Sequence, residues 1–143
     1  MAGAAVIIKD VLVGAGVGTF AATTGWGIYI AREPTTPDTT ITIYNTGGSD
    51  PNPAWLLDFP TVQVRVRGAR LGYQAAFAKV VEVKDFLLGR ASGLVGTDQL
   101  DAVNQSSDIL DLGFDDSNRP VIVVNFRLIV EPAQSVNTNR API

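Results

Sequence analysis

Residues Phe59–Arg90 read FPTVQVRVRGARLGYQAAFAKVVEVKDFLLGR, and this stretch decides the fold of the 143-residue chain. Its first third alternates valines with polar side chains, the period of a strand with one buried face and one solvated face. After a break at Gly68–Gly72, apolar residues recur about every 100°, which is the period of a helix. The residues on that helical face are Tyr73, Ala76, Phe77, Val80, Val83 and Leu87. The sequence therefore predicts a strand that leads into a helix packed on its valine face.

The rest of the chain adds one helix and more strands around this unit. A short helix is predicted over Ala4–Val13, and the glycine run 14–18 ends it. Alternating or β-branched runs predict four further strands, at Trp26–Arg32, Thr39–Thr46, Asp108–Phe114 and Val121–Val130. Asp98–Gln105 is either irregular or an edge segment. The predicted class is α+β, a mixed, mostly antiparallel sheet of about five strands with two helices on one face, in the order α-β-β-β-α-β-β.

A change of composition marks the C-terminal end. From Glu131 onward the chain is rich in Pro, Gln, Ser, Asn and Thr, which is typical of segments that lack a packed core of their own. We expect a single domain over residues 1–131, followed by an extended or disordered arm over residues 132–143.

Composition and charge argue against several classes of function. The formal charge of −3 disfavours general nucleic-acid binding, which needs a basic face to displace counterions. Cysteine and histidine are absent, so the commonest zinc sites and histidine-based acid–base chemistry cannot form. The apolar stretch Ala4–Ala22 is interrupted by charges and glycines, which favours a helix and a turn over a membrane span.

Two motifs in the sequence resemble chemical sites, a glycine run and a cluster of aspartates. Gly14–Gly18 has part of a dinucleotide fingerprint, but its glycine spacing is wrong and no strand precedes it. The only carboxylate cluster comprises Asp108, Asp111, Asp115 and Asp116. Carboxylates can bind calcium, but the spacing does not match a calcium loop and is better suited to a tight turn. We therefore predict no catalytic residue, metal or cofactor, and no enzymatic activity.

The central stretch also resembles a known family. An aromatic-Pro pair, the run V-Q-V-R-V-R-G, a helix with Y-x-A-A and a final L-L-G are similar to the minor capsid or tail-terminator family of long-tailed phages. The matching residues, roughly a third of the chain with their surroundings, are Phe59, Pro60, Val62–Gly68, Tyr73, Ala75, Ala76 and Leu87–Gly89. The N-terminal helix and a strand that ends near Thr46-Gly47-Gly48 precede this unit, in the order usual for the family.

The resemblance implies a structural virion protein, assembled in the host cytoplasm, that closes as a ring, commonly a hexamer, on the head-proximal end of the tail tube. The ring would stop tube growth and join the tail to the head connector. Its partners would then be copies of itself, the tail tube protein and the connector, and genomic DNA would pass through without specific binding. In such a ring, an antiparallel hairpin formed by the last two strands could reach a neighbour.

Six residues are candidates for subunit or partner contacts. Gln63, Arg65 and Arg67 form a polar stripe on the outer face of the central strand, which is either solvated or matched to an acidic patch on a neighbour. Trp55, Leu56 and Phe59 place large apolar side chains in a predicted surface loop over Gly47–Asp58. They either fold back on the core or meet a partner.

Two other hypotheses remain open from the sequence. The chain could be a different part of the virion, such as a neck or head-closure connector or the tube subunit itself. It could instead be a soluble domain that binds a small molecule as a monomer or dimer, which would require a defined apolar pocket.

Overall fold

The strand and helix predicted in the Phe59–Arg90 stretch are both present in the computed structural model, which describes all of residues 1–143. The chain forms two helices and eight strands. The helices are α1 (Ala4–Gly14) and α2 (Tyr73–Leu87). The strands are β1 (Thr19–Phe20), β2 (Gly27–Ile30), β3 (Thr40–Ser49), β4 (Phe59–Arg67), β5 (Gly93–Val95), β6 (Asp98–Gln105), β7 (Leu110–Phe114) and β8 (Pro120–Glu131).

All eight strands belong to one mixed sheet, in the order β1-β2-β3-β4-β8-β6-β5. The pairs β1–β2 and β2–β3 are parallel, and every other pair is antiparallel. The long strand β8 has β4 on one side. On its other side β7 pairs with its first half and β6 with its second half. The edges of the sheet are thus β1 at one end, and β7 and β5 at the other.

Both helices cover the same face of this sheet. Because paired residues point to the same side, the register puts the β-branched side chains of β3, β4 and β8 in continuous rows, such as Ile41–Val66–Ile122. Ile8 and Leu12 of α1 and Val80 of α2 pack against these rows in one cluster of 24 buried residues. Burial of this apolar surface is the main force that holds the helices on the sheet.

The α+β class, the two helices and the mixed sheet agree with the sequence prediction, but the number of strands and their order do not. The sheet has eight strands rather than about five, and the order is α-β-β-β-β-α-β-β-β-β. β1 and β5 have only two and three residues, too few for a period to be visible. In β6 a bulge between Leu100 and Ala102 inserts one residue, so the buried side chains lose the period of two.

The buried face of α2 is shorter than its sequence pattern predicts. Ala76, Val80 and Val83 are fully buried, but Tyr73 and Phe77 are each 37% exposed. The Tyr73 hydroxyl hydrogen-bonds to Asp111 in the edge strand β7. The start of α2 therefore lies over the edge of the sheet, where no further element covers its aromatic side chains. Neither helix is long and apolar enough to cross a membrane.

Candidate interaction surfaces

The polar stripe of β4 faces away from the helices, as its alternation predicts, but its members differ in environment. The Gln63 amide donates to Asn125 Oδ1 at 3.3 Å across the sheet. The Arg65 Nε donates to Glu33 Oε2 at 2.9 Å, and a third of its side chain stays exposed. Both residues therefore keep a polar surface on the outer face of the sheet.

Arg67 is different, because only 2% of it is exposed. Its Nη1 donates to Glu33 Oε1 at 2.9 Å, and its Nε donates to the Asp38 carbonyl at 3.0 Å. Its Nη2 donates to the carbonyls of Pro34 and Pro37, both at 2.7 Å. A guanidinium offers five donors in a fixed plane, so one side chain can hold the whole loop that joins β2 to β3. Arg67 thus ties this loop down over the outer face.

A second arginine fastens the same loop from the other side. Arg119 Nε donates to Asp115 Oδ2 at 2.8 Å, and its Nη1 donates to the Thr35 carbonyl at 2.7 Å and to Asp38 Oδ1 at 3.2 Å. The other oxygen of Asp115 accepts the backbone amides of Ser117 and Arg119, both at 2.9 Å, which closes the turn between β7 and β8. The predicted turn between β7 and β8 is therefore present, and through Arg119 it also holds the loop that joins β2 to β3.

The loop before β4 is held by the C-terminal segment. Arg140 Nη1 donates to Asp58 Oδ1 at 2.6 Å. The Leu56 amide donates to the Ala141 carbonyl, and the Ala141 amide donates to the Ala54 carbonyl. Leu56 is buried beneath them, whereas Trp55 is 49% exposed. Trp55, Leu57 and Ile143 line a small apolar hollow of about 220 Å³. The loop therefore folds back on the body with Leu56 and presents Trp55 to solvent.

Phe59, at the start of β4, is half-buried beside an open hollow of about 280 Å³. Arg127 and Asn104 line the same hollow, and Arg127 is exposed without an intrachain ion pair. Phe59 and Trp55 come from one segment, but they line different hollows. The six predicted interface residues thus occupy the outer face of β4 and the loop before it.

A further exposed apolar surface lies at β7, outside the six predicted interface residues. The side chains of β7 are all exposed, and Leu110, Leu112 and Phe114 are each about half exposed. Tyr73 and Phe77 of α2, whose ring centroids are 6.0 Å apart, continue this apolar surface around Asp111. The sequence contains the pattern of this surface. Leu110, Leu112 and Phe114 are apolar at every second position of a strand, and Tyr73 and Phe77 are four residues apart on one side of a helix. We call this surface the β7 edge.

Electrostatics differ between these surfaces. Burial, and then the nearby Glu33 carboxylate, raise the pKa of Tyr44, which is paired with Gln63 on the outer face. The hydrogen bond to Asp111 raises the pKa of Tyr73. Both hydroxyls therefore stay protonated at neutral pH and act as hydrogen-bond groups rather than charges.

The four aspartates of the carboxylate cluster do not converge on one point. Asp108 pairs with Lys84 at 3.4 Å, Asp111 accepts from Tyr73, and Asp115 pairs with Arg119. No group of three or more carboxylate side chains lies close enough together to hold a metal ion. Asp108, Asp111 and Asp115 thus have separate intrachain partners, and Asp116 forms no ion pair.

Comparison with known proteins adds a family to this geometry. A family model described as bacteriophage tail terminator protein matches residues 11–132, well over half of the chain. The chain belongs to the bacteriophage tail terminator family. The matched range begins within α1, contains the whole sheet and α2, and ends just after β8. No protein with a curated description matches the chain.

Membership in the tail terminator family gives the chain a structural role in the virion tail. The resemblance in Phe59–Arg90 is confirmed, because this stretch lies entirely within the matched range. Three surfaces described above are therefore surfaces of a tail protein: the arginine-held loop between β2 and β3 (residues 31–39), the Trp55 loop between β3 and β4 (residues 50–58), and the β7 edge.

Proposed function

We propose that this tail terminator closes into a ring on the head-proximal end of the tail tube. There it stops growth of the tube and presents its opposite rim to the head connector. The family match is the observation that supports this proposal most directly. A hexamer, the state implied by the resemblance, is the assembly we expect.

The surface of the isolated subunit supports assembly. Large apolar side chains are exposed at several separate places, among them Phe20 on β1, Trp55 in the loop before β4, and the β7 edge. Only 17% of the residues are charged. Monomeric proteins rarely leave extensive apolar patches in water, so these places are suited to contacts with other subunits.

The predicted interface residues take different roles in this proposal. Trp55, Phe59, Gln63 and Arg65 keep exposed or half-buried surface and would contact the partners directly. Arg67 and Leu56 are buried and would act from beneath, by holding the two loops in place. We also propose that residues 1–131 form the ring body and residues 132–143 an arm, laid along the Trp55 loop in the free subunit.

The charge suits a channel for DNA. A net charge of −3 gives each subunit a weak repulsion for phosphate, so DNA can pass the ring without being held. Neighbouring copies in a closed ring all use the same pair of unlike surfaces. The tube protein and the connector would then each meet one of the two rims.

The test is assembly in the presence of the cognate tail tube protein. The mass of the purified protein is measured by light scattering with and without tubes, and tube lengths are measured by electron microscopy. We expect rings on one end of each tube and an arrest of growth where they bind. Failure to bind tube ends would overturn the proposal.

The same experiment separates the other two hypotheses. A protein that polymerises into tubes by itself would be the tube subunit, and one that binds the connector but not the tube would be a neck protein. A monomer or dimer that binds neither the tube nor the connector would favour the hypothesis of small-molecule binding. A concavity that could serve it is the open groove of about 460 Å³ beside β2.

A further inference from the structure

The two edges of the sheet lie on one transverse row of paired residues. That row consists of Phe20, Ile28, Ile41, Val66, Ile122 and Asp111. Phe20 ends the row on β1 and Asp111 ends it on β7, about 24 Å away at five strand spacings of about 4.8 Å. The two edges therefore end the same row of paired residues on opposite sides of the sheet.

β7 is an edge strand, and one side of it has no neighbouring strand. β7 pairs only with β8, so one side of its backbone is free to hydrogen-bond with another chain. A bulge opposite Val121 contains Gly113 at φ 85°, and Leu112 beside it is half exposed. Natural edge strands often limit such pairing with charges, proline, a bulge or a covering element. β7 has the bulge and Asp111, but it has neither lysine nor proline, and its remaining side chains are two leucines and a phenylalanine.

The opposite edge offers a groove of matching character. β1 ends at Phe20, so β2 continues beyond it with Tyr29 and Ile30 unpaired on that side. The groove of about 460 Å³ lies there, and Phe20, Tyr29 and Ile30 supply its apolar lining. Pro34, Thr35 and Thr36 of the arginine-held loop form the rest of its wall together with Arg32. Arg67 and Arg119 thus hold one wall of this groove in place.

The charges at the two edges are complementary. Arg32 lines the groove, is exposed, and forms no intrachain ion pair. Asp111 at the β7 edge is exposed, and its only partner is the hydroxyl of Tyr73. Each edge therefore offers one unpaired charge beside an apolar surface, with opposite sign.

From these observations, and resting on the ring proposed above, we propose that the β7 edge of one copy docks into the β2 groove of the next. Leu112 and Phe114 would fill the groove beside Phe20, and Asp111 would pair with Arg32 of the neighbouring copy. The contact joins two unlike surfaces at opposite ends of one row, so it is heterologous and repeats from copy to copy. The sheets of neighbouring subunits would then follow one another around the ring.

Charge reversal tests this contact. Arg32→Glu and Asp111→Arg each place like charges across the interface, and each is expected to reduce ring formation on tail tubes about tenfold or more. The double variant restores opposite charges and is expected to recover most of the rings. Arg90→Glu is the matched control, since Arg90 forms no intrachain ion pair and lies in the loop between α2 and β5, outside β7 and the β2 groove. Urea unfolding checks that every variant folds. Leu112→Ser removes an apolar contact without changing the charge, and it is also expected to reduce ring formation.

Each outcome decides the proposal. Rings lost in the single variants and recovered in the double variant support it. Rings unaffected by the single variants, or lost and not recovered, overturn this contact while the ring itself stands. Rings that form but no longer bind tubes would assign the β7 edge to the tube protein and also overturn it. If the unmodified protein forms no ring on tubes, the proposed function fails and this contact fails with it.

Discussion

At the scale of single residues, Arg65 and Arg67 show how one pattern can contain two roles. Both occupy the polar phase of β4, and both bind the Glu33 carboxylate at 2.9 Å. Arg65 lies near the solvent, whereas Arg67 is buried under the loop that it holds. The buried arginine has exchanged its hydration for five partners, namely the Glu33 carboxylate and four backbone carbonyls. Its loss therefore removes the side-chain donor from the carbonyls of Pro34, Pro37 and Asp38 in the loop.

Arg67→Ala should lower the free energy of unfolding by about 3 to 5 kcal/mol, the range for removal of one partner from a buried ion pair. Arg65→Ala is the matched control, because it removes a partner of the same glutamate at a partly exposed site. Its cost should stay below about 1 kcal/mol. Urea unfolding of the isolated subunit gives both values. An equal loss of unfolding free energy in the two variants would contradict the proposal that Arg67 holds the loop.

Asp115 gives a pH-dependent prediction. Burial alone would raise the pKa of its carboxyl, but hydrogen bonds from the amide and guanidinium of Arg119 and the amide of Ser117 lower it below the ordinary value of 3.8. A lowered pKa means that the ionised carboxylate stabilises the fold above about pH 4, and that this contribution is lost as the pH falls through the lower folded value.

Asp115→Asn should therefore lower the melting temperature at pH 7, and the gap from the unmodified protein should narrow below pH 4. Asp116→Asn, in the same turn, is the control and should change little at either pH, because Asp116 forms no intrachain ion pair. Thermal unfolding followed over this pH range provides the measurement. A gap that does not depend on pH would contradict the role of the ionised carboxylate.

At the scale of elements, the junction of β4 and α2 depends on close packing at Gly68. A Cβ added there would lie 2.8 Å from the Cβ of Ala76 and 2.9 Å from Cγ of Pro120, closer than carbon atoms approach without displacement. Gly68 is thus the position at which the strand, the helix and β8 meet. The break in the sequence pattern between strand and helix is also a packing requirement.

Gly68→Ala should destabilise the protein by about 1 to 3 kcal/mol, the usual cost of forcing extra volume into a packed core. Gly93→Ala is the control, since nothing lies within 4 Å of its added Cβ, and it should be neutral or slightly stabilising. Denaturant unfolding at equilibrium compares the two variants. A neutral Gly68→Ala would mean that α2 can shift away from the sheet at little cost.

At the scale of the whole molecule, the C-terminal segment lies against the loop that carries Trp55. Ala141 donates to the carbonyl of Ala54 at 3.0 Å, and Leu56 donates to the carbonyl of Ala141 at 2.9 Å. The only ion pair between the two segments is Arg140–Asp58. Because few bonds hold the segment, its attachment should be the least stable part of the subunit.

Arg140→Ala should increase amide hydrogen exchange in two regions, residues 52–58 and 138–143, while the sheet remains protected. Loss of the ion pair frees the segment, and its backbone hydrogen bonds then open more often. Arg127→Ala, at an exposed arginine outside this contact, should leave exchange in both regions unchanged. Hydrogen exchange followed by mass spectrometry resolves the two regions. Unchanged exchange in Arg140→Ala would show that the backbone bonds alone hold the segment.

The sequence by itself determined the class of fold, the central strand and helix, the β8 strand and the family. These depend on local periodicity and on motifs within one stretch, and neighbours in the sequence carry such information. The sequence also indicated polar and apolar candidates in Phe59–Arg67 and the loop before it. Their place at an interface with other chains stays a prediction.

Only the tertiary structure decided which edge strands complete the sheet, because β1 and β5 are too short for a period and the bulge in β6 removes it. It also decided that Arg67 is buried and Arg65 is not, since this depends on a loop about thirty residues earlier in the chain. The exposure of Tyr73 and Phe77 has the same origin. A helical face is apolar by sequence, but it is buried only where the rest of the fold extends beneath and around it.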